Sequence, residues 1–286
     1  MRSDPLWRVS VETTPEAEEA LAALMEALFG QAPSIYQEVA TGRLTATVFL
    51  GKAPRRAGLK AKFAGSGRIS ITKVRKQDWA ESWKRHFKPF TVGRSLLIKP
   101  SWNRRKPARG QSVMVIDPGL SFGTGQHPTT RFCLEQLTAA RRPGFRQSFL
   151  DVGTGSGILA IAAAKLGYGP VRAFDFDPAA VRVAKENARK NGVKVVVAKE
   201  DITELAPKSA RYDVVCANLT ADLLENCLGT LKRLVKPGGR LVLAGILRAQ
   251  IDSVQKCFEK RGFSVTARSS NGEWESLALA QRKLLR

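Results

Sequence analysis

The spacing of apolar and polar positions divides the chain into two stretches with different rhythms. In the first, "LWRVSVE" (Leu6–Glu12) sets an apolar side chain at every second position, the pattern of a strand with one buried face. The next segment, "PEAEEALAALMEALFG", changes to helical spacing. Thr14 stands at its capping position, Pro15 suits the first turn, Glu16, Glu18 and Glu19 complement the positive helix end, and Gly30 stops it. Two strands follow over "SIYQEVA" and "RLTATVFL", joined at Thr41-Gly42, then a basic helical piece over Lys52–Phe63 and a strand over Arg68–Val74. The order β-α-β-β-α-β predicts a small ferredoxin-like α+β domain over residues 1–75. Such a fold points to a binding module and no further.

Trp79, Trp83 and Phe87 then recur every four residues, which predicts a linker helix within residues 76–92, ended by Pro89. From residue 93 to 286 strands and helices alternate. The predicted strands are Phe149–Val152, Val171–Phe174, Val193–Val197, Tyr212–Ala217 and Arg240–Ala244, with helices beginning near Ser156, Pro178, Thr220 and Leu247. This is the pattern of an α/β doubly wound, mostly parallel sheet. It ends differently: "GFSVTARSS" and "EWESLALAQ" flank Asn271-Gly272, which reads as the two-residue turn of an antiparallel hairpin.

Composition adds three constraints. With 43% hydrophobic residues the chain of 286 can bury a core in each of two domains. No apolar run is long enough to span a bilayer, and Pro5, Trp7 and Arg8 interrupt any signal-peptide pattern, so no membrane partner and a cytoplasmic location are expected. The four cysteines form no metal-binding spacing, and only His86 and His127 could add imidazole ligands, so no metal is expected. The net charge of +22 is concentrated. Between Lys52 and Arg109 there are 18 Lys and Arg against two acids, Asp78 and Glu81. A block of this kind suits a polyanion such as RNA, although a generally basic surface is an equally simple reading.

The chemistry lies in the second stretch. Asp151-Val152-Gly153-Thr154-Gly155-Ser156-Gly157 follows a strand and opens a helix, and Gly153 and Gly155 let a ligand lie against bare backbone. A dinucleotide loop would carry its third glycine where Ile158 stands. Asp175 ends the next strand, where a carboxylate can accept both hydroxyls of a ribose. Together they indicate a site for an adenosine-type cofactor. Asn218 ends the fourth strand on the same crevice, with an amide able to accept a hydrogen bond from an attacking amine; capping the following helix is its structural alternative. A second glycine-rich stretch, "DPGLSFGTGQHPTT" (117–130), carries His127, which reads as structural because it has no partner histidine.

In order and spacing, "DPGLSFGTGQHPTT", "FLDVGTGSGILAIAAAKLG", "FDFDPAAV", "NLTADLL" and "KPGGRLVLAGIL" resemble the ribosomal protein L11 methyltransferase (PrmA) family. "DWAESWKRHFKPF", "IKPSW" and "GEWESLAL" extend the resemblance over about residues 78–280. It implies a class I methyltransferase domain that binds S-adenosyl-L-methionine through Thr130, Gly153, Gly155, Asp175 and Asn218, with Asn218 also serving catalysis. It further implies methyl transfer to lysine ε-amines and an α-amine of ribosomal protein L11, recognised by the amino-terminal domain. A monomer is expected, with rRNA contact through the block 52–109. Two places depart from the family pattern: Thr154 replaces the usual cysteine, and Leu219-Thr220-Ala221 replaces the usual Ile-Leu-Ala. Methylation of another protein or of RNA, and a non-catalytic RNA-binding assembly factor, remain open alternatives. Against base methylation, Asn218 lacks the Pro-Pro-aromatic sequence that adenine-methylating enzymes place after it.

Overall fold

The computed structural model describes residues 6–14, 17–31, 33–37, 44–54, 59–63, 67–74, 87–117, 125, 127–206 and 210–282. The chain divides into two compact units, Met1–His86 and Phe87–Arg286.

The first unit runs β1 (Leu6–Thr13), α1 (Glu18–Phe29), β2 (Ser34–Gln37), β3 (Leu44–Leu50), α2 (Leu59–Lys62) and β4 (Arg68–Val74). Its sheet has the order β2-β3-β1-β4, antiparallel throughout, with Val9 opposite both Val48 and Ile71. This is the ferredoxin-like arrangement. The alternation read from the sequence sends Val9, Val11, Ala46 and Val48 to one face, where they pack with Leu21, Met25 and Phe63. Two local expectations shift. The helix α1 begins at Glu18, and Thr14 contributes its carbonyl, which accepts from Ala17 N–H at 3.1 Å, rather than a side-chain cap. The second helix does not start at Lys52, because Pro54 disfavours helical geometry in the residue before it.

Most of the predicted linker helix, with His86, lies outside the described residues. The boundary drawn at residue 92 differs: Phe90–Val92 form a strand of the second unit, so that unit begins at Phe87 rather than at residue 93. The pattern after Pro89 is two-residue alternation, which suits a strand.

The second unit opens with a sheet the sequence reading missed. The strands β5 (Phe90–Val92), β6 (Leu96–Lys99) and β7 (Ser112–Val115) pair in that order, followed by α3 (Pro128–Ala140). Then come β8 (Phe149–Val152), α4 (Ile158–Lys165), β9 (Val171–Asp175), α5 (Pro178–Lys190), β10 (Val196–Lys199) and β11 (Tyr212–Asn218). The chain ends with α6 (Ala221–Asn226), α7 (Leu228–Leu234), β12 (Val235–Leu247), α8 (Ile251–Lys260), β13 (Phe263–Asn271) and β14 (Trp274–Gln281). These strands form a seven-stranded sheet of order β10-β9-β8-β11-β12-β14-β13. The strands from β10 to β12 are parallel, and β14 runs antiparallel to both neighbours.

Successive residues of β11 alternate between two cores, Val214 and Cys216 joining one and Val215 and Ala217 the other. That is what a sheet covered by helices on both faces requires. Between β8 and β11 the winding reverses, and a ligand crevice opens beyond the carboxyl ends of strands at such a switch point. The hairpin turn is Gly272-Glu273, one residue later than read, because Asn271 already pairs with Trp274. Gly272 has φ +61 while among the described residues no non-glycine residue has positive φ, which suits a turn with glycine at its first central position. Among the described residues no helix is long and apolar enough to cross a membrane. All four cysteines are free, and three of them (Cys133, Cys216 and Cys227) are buried.

Candidate active site

The strand β8 ends at Val152 and the chain turns at once into α4. Gly153, Gly155 and Gly157 have φ of +69, +54 and +81, the left-handed region that side chains disfavour, so the turn itself requires glycine at alternate positions. Beneath the turn, Asp151 is fully buried. Its Oδ2 accepts from the Thr154 hydroxyl at 2.6 Å, and Ala160 N–H in the first turn of α4 also donates to the carboxylate. Burial outweighs these bonds and raises the Asp151 carboxyl from its ordinary 3.8 to about 7.

Asp175 closes β9 and is 7% exposed. Its Oδ2 accepts from Gly155 N–H at 2.9 Å and its Oδ1 from Asp177 N–H at 3.1 Å. The glycine turn and the acid therefore fix each other, and each oxygen keeps a second lone pair for a ligand hydroxyl. Asp177 caps α5 as its sequence suggested, accepting from Ala179 N–H at 2.8 Å ahead of Pro178.

Asn218 closes β11. It does not cap the next helix, whose N-cap is Thr220. Its Nδ2 instead donates to Thr129 Oγ1 at 3.4 Å, and Thr129 Oγ1 lies 2.6 Å from His127 Nδ1. The His127 ring meets Trp274 edge-on with centroids 5.2 Å apart, and partial burial holds the imidazole below its ordinary pKa. On the other side of Asn218, a Cβ added to Gly245 would stand 2.9 Å from Asn218 Oδ1 and 2.7 Å from Leu219 O. Thr129 therefore holds the Asn218 amide, and bare backbone at Gly245 leaves room for its oxygen.

Thr130 stands in the first turn of α3, after Pro128. Among the described residues its Oγ1 is the only buried side-chain polar atom without a hydrogen-bond partner. A buried hydroxyl left unsatisfied costs about 1–3 kcal/mol, which a ligand acceptor would relieve. Thr130, Gly153, Gly155, Asp175 and Asn218 all line one cavity of about 560 Å³ at the carboxyl ends of β8, β9 and β11. Of the first glycine-rich stretch, residues 118–124 and 126 lie outside the described residues.

The profile of the family described as Ribosomal protein L11 methyltransferase (PrmA) matches residues 12–282. The chain belongs to this family. It is 47% identical to the ribosomal protein L11 methyltransferase of Geobacter sulfurreducens over 208 residues, 73% of this chain and 68% of that one. It is 40% identical to that of Caldicellulosiruptor bescii over 210 residues, 73% of this chain and 67% of that one. A crystal structure of the ribosomal protein L11 methylase of Lactobacillus delbrueckii subsp. bulgaricus aligns with a TM-score of 0.61 at 31% identity, covering 68% of this chain and 100% of that one.

In this methyltransferase the same cavity takes further residues that the sequence reading left unassigned. Asp201 and Ile202 stand just beyond the end of β10 as Asp175 stands at the end of β9, and that repetition was a usable signal. Asp201 Oδ1 accepts from Thr203 N–H at 2.8 Å and from its hydroxyl at 2.7 Å, which holds the carboxyl below its ordinary pKa. Phe176, 70% exposed, forms an apolar edge. Trp274 enters because β14 pairs with β12, placing it opposite Leu247, and no local spacing reveals that. Among the described residues no group of three or more His, Cys, Asp or Glu side chains could hold a metal.

Proposed function

We propose that this protein transfers methyl groups from S-adenosyl-L-methionine to lysine ε-amines and an α-amine of ribosomal protein L11. Family membership supports the reaction class and the substrate. One observation carries the cofactor reading: Thr130, whose buried hydroxyl has no partner, lines the same cavity as the glycine turn, Asp175 and Asn218. These residues fit the cofactor. Asp175 would accept the ribose hydroxyls, and Gly153 and Gly155 would admit the ligand against bare backbone. Phe176 and Ile202 would flank the adenine, and Thr130 would bond a polar group that water cannot reach.

When bound, the cofactor supplies a methyl group on a sulfonium, an electrophile that needs no further activation. The chain's own residues have to deliver a neutral amine with its lone pair in line. A free lysine amine has a pKa of about 10.4, and moving it from water into a confined site favours the neutral form. With its Nδ2 engaged by Thr129, Asn218 keeps Oδ1 as an acceptor. An amine N–H donated to that oxygen leaves the nitrogen lone pair free to attack. Thr129 and His127 act as positioning residues for Asn218, and water takes the proton released. Orientation and exclusion of solvent then carry most of the catalysis, an effect worth about 7–11 kcal/mol in favourable cases.

In the same reading the amino-terminal domain, residues 1–75, recognises the substrate protein, and residues from Phe87 onward perform the transfer in a cytoplasmic monomer. Among the described residues of the basic block, the exposed Arg104, Arg105, Lys106 and Arg109 would make the rRNA contact. Calorimetric titration with the cofactor tests the site. Asp175→Ala is expected to weaken binding strongly, and unchanged affinity would remove the ribose assignment.

A further inference from the structure

At the opposite end of the parallel strands, the second unit carries another cavity, of about 690 Å³. It opens where β8, β9 and β10 begin, beside the last turns of α5. Its floor is apolar, formed by Tyr168, Val171 and Val195, and its rim carries Arg146, Lys185, Arg189 and Lys194. All four cations are exposed, and no acid lines the cavity. Among the described residues none of the four forms an ion pair, whereas Lys190, on the same helix, pairs with Asp117. The helix dipole explains a cation in the last turn, hence Arg189. It does not explain Lys185 in the preceding turn, or Arg146 and Lys194 outside the helix.

Beside this rim stands an aromatic ring that the fold does not bury. Phe145 is 67% exposed and directly precedes Arg146. It is held on a stiff turn: Arg141 donates to the Phe145 carbonyl at 2.7 Å, and Gln147 accepts from Arg142 N–H at 2.6 Å. A solvated ring on an anchored turn, with an arginine beside it, is a stacking platform, and a run of unpaired cations is a track for phosphates. The basic loop bearing Arg104, Arg105, Lys106 and Arg109 leads into Ser112, whose hydroxyl donates to Lys165 O at the carboxyl end of α4. That end of α4 belongs to the same side of the domain, remote from the methyl-transfer crevice.

We propose that this surface binds single-stranded RNA, with phosphates along Arg146, Lys185, Arg189 and Lys194 and one base stacked on Phe145. An acidic peptide would satisfy the cations but has no flat face for the ring. The inference goes beyond the methyl-transfer reading. It gives the enzyme a hold on the RNA of a ribosomal particle at the end of the sheet away from the crevice.

The test uses the full chain and a labelled RNA of about 12 nucleotides, within the range of about 4–16 that such surfaces span. Affinity is measured by fluorescence anisotropy at several salt concentrations. Replacing all four cations by alanine is expected to lower the salt slope by about 3, from roughly 0.7 per phosphate contact on a single strand. Phe145→Ala is expected to weaken binding about fivefold or more, and Phe145→Trp to preserve it. Cofactor affinity and methyl transfer to free L11 should be unchanged in these variants. Unaltered RNA affinity in the four-cation variant overturns the proposal. So does indifference to Phe145→Ala combined with equal binding of an acidic peptide, or a loss confined to variants of Arg104, Arg105, Lys106 and Arg109. Absence of methyl transfer in the parent protein would defeat the proposed reaction and leave the RNA measurements standing.

Discussion

Asp151 is a carboxyl group whose burial should be visible in the pH dependence of stability. In the folded second unit its pKa stands at about 7 against an ordinary 3.8, so between these values the fold holds a proton that the unfolded chain releases. Stability from this group is therefore fully present below about pH 4 and is lost as pH rises through about 7. Each pKa step of one corresponds to about 1.4 kcal/mol, which makes the whole effect about 4 kcal/mol. Asp151→Asn removes the titration while keeping an oxygen for the Thr154 hydroxyl. The substitution also turns an amide N–H₂ toward one donor, but that cost is constant with pH and drops out of the slope. The assay is urea unfolding of parent and variant from pH 4 to 8, followed through the transition of the second unit because two units need not unfold together. The stability difference, parent minus variant, should fall by about 4 kcal/mol across that range. A flat difference would refute the reasoning, since it would mean that the carboxylate is solvated or fully compensated by Thr154 and Ala160.

Three further substitutions separate the parts of the site. Thr130→Val should weaken cofactor binding about fivefold while raising stability by about 1 kcal/mol, because it deletes a hydroxyl that the fold itself leaves unpaired; calorimetric titration and thermal melts read the two effects. Thr129→Val should lower kcat by about 10- to 100-fold with cofactor affinity unchanged, and Thr129→Ser should restore it, as expected if the hydroxyl only orients Asn218. Gly245→Ala forces a side chain into φ +83 against Asn218 Oδ1 and should cost about 1–2 kcal/mol, a fall in Tm of a few degrees, together with a loss of turnover.

What the sequence made legible follows rules of short range. Gly153, Gly155, Asp175 and Asn218 could be assigned because each stands at or just after the end of a strand, and the doubly wound topology sends all such ends to one crevice. The same rule would have given Asp201, which the repeated strand–acid pattern already displayed. Other features depend on long-range pairing. Trp274 reaches the crevice only through the register of β14 on β12, and Thr129 gains its role from Asn218, far along the chain. The oddness of an acid in "FLDV" was visible, but its burial was not. The sheet of β5 to β7 escaped notice because no helix separates its strands, so the strand–helix alternation that marks β8 to β12 is missing there. The rim of the second cavity is assembled from separated cations, while the dense block 52–109 dominated the charge pattern.

The central claim is methyl transfer to protein amines, and locating the methyl group tests it most directly. The protein is incubated with S-adenosyl-L-methionine carrying a labelled methyl group and with intact large ribosomal subunits, and the label is then traced by mass spectrometry of separated protein and RNA. Label on lysine ε-amines and the α-amine of L11, absent with Asn218→Ala, is the expected result. Label in the RNA, or on another ribosomal protein with L11 untouched, would contradict it.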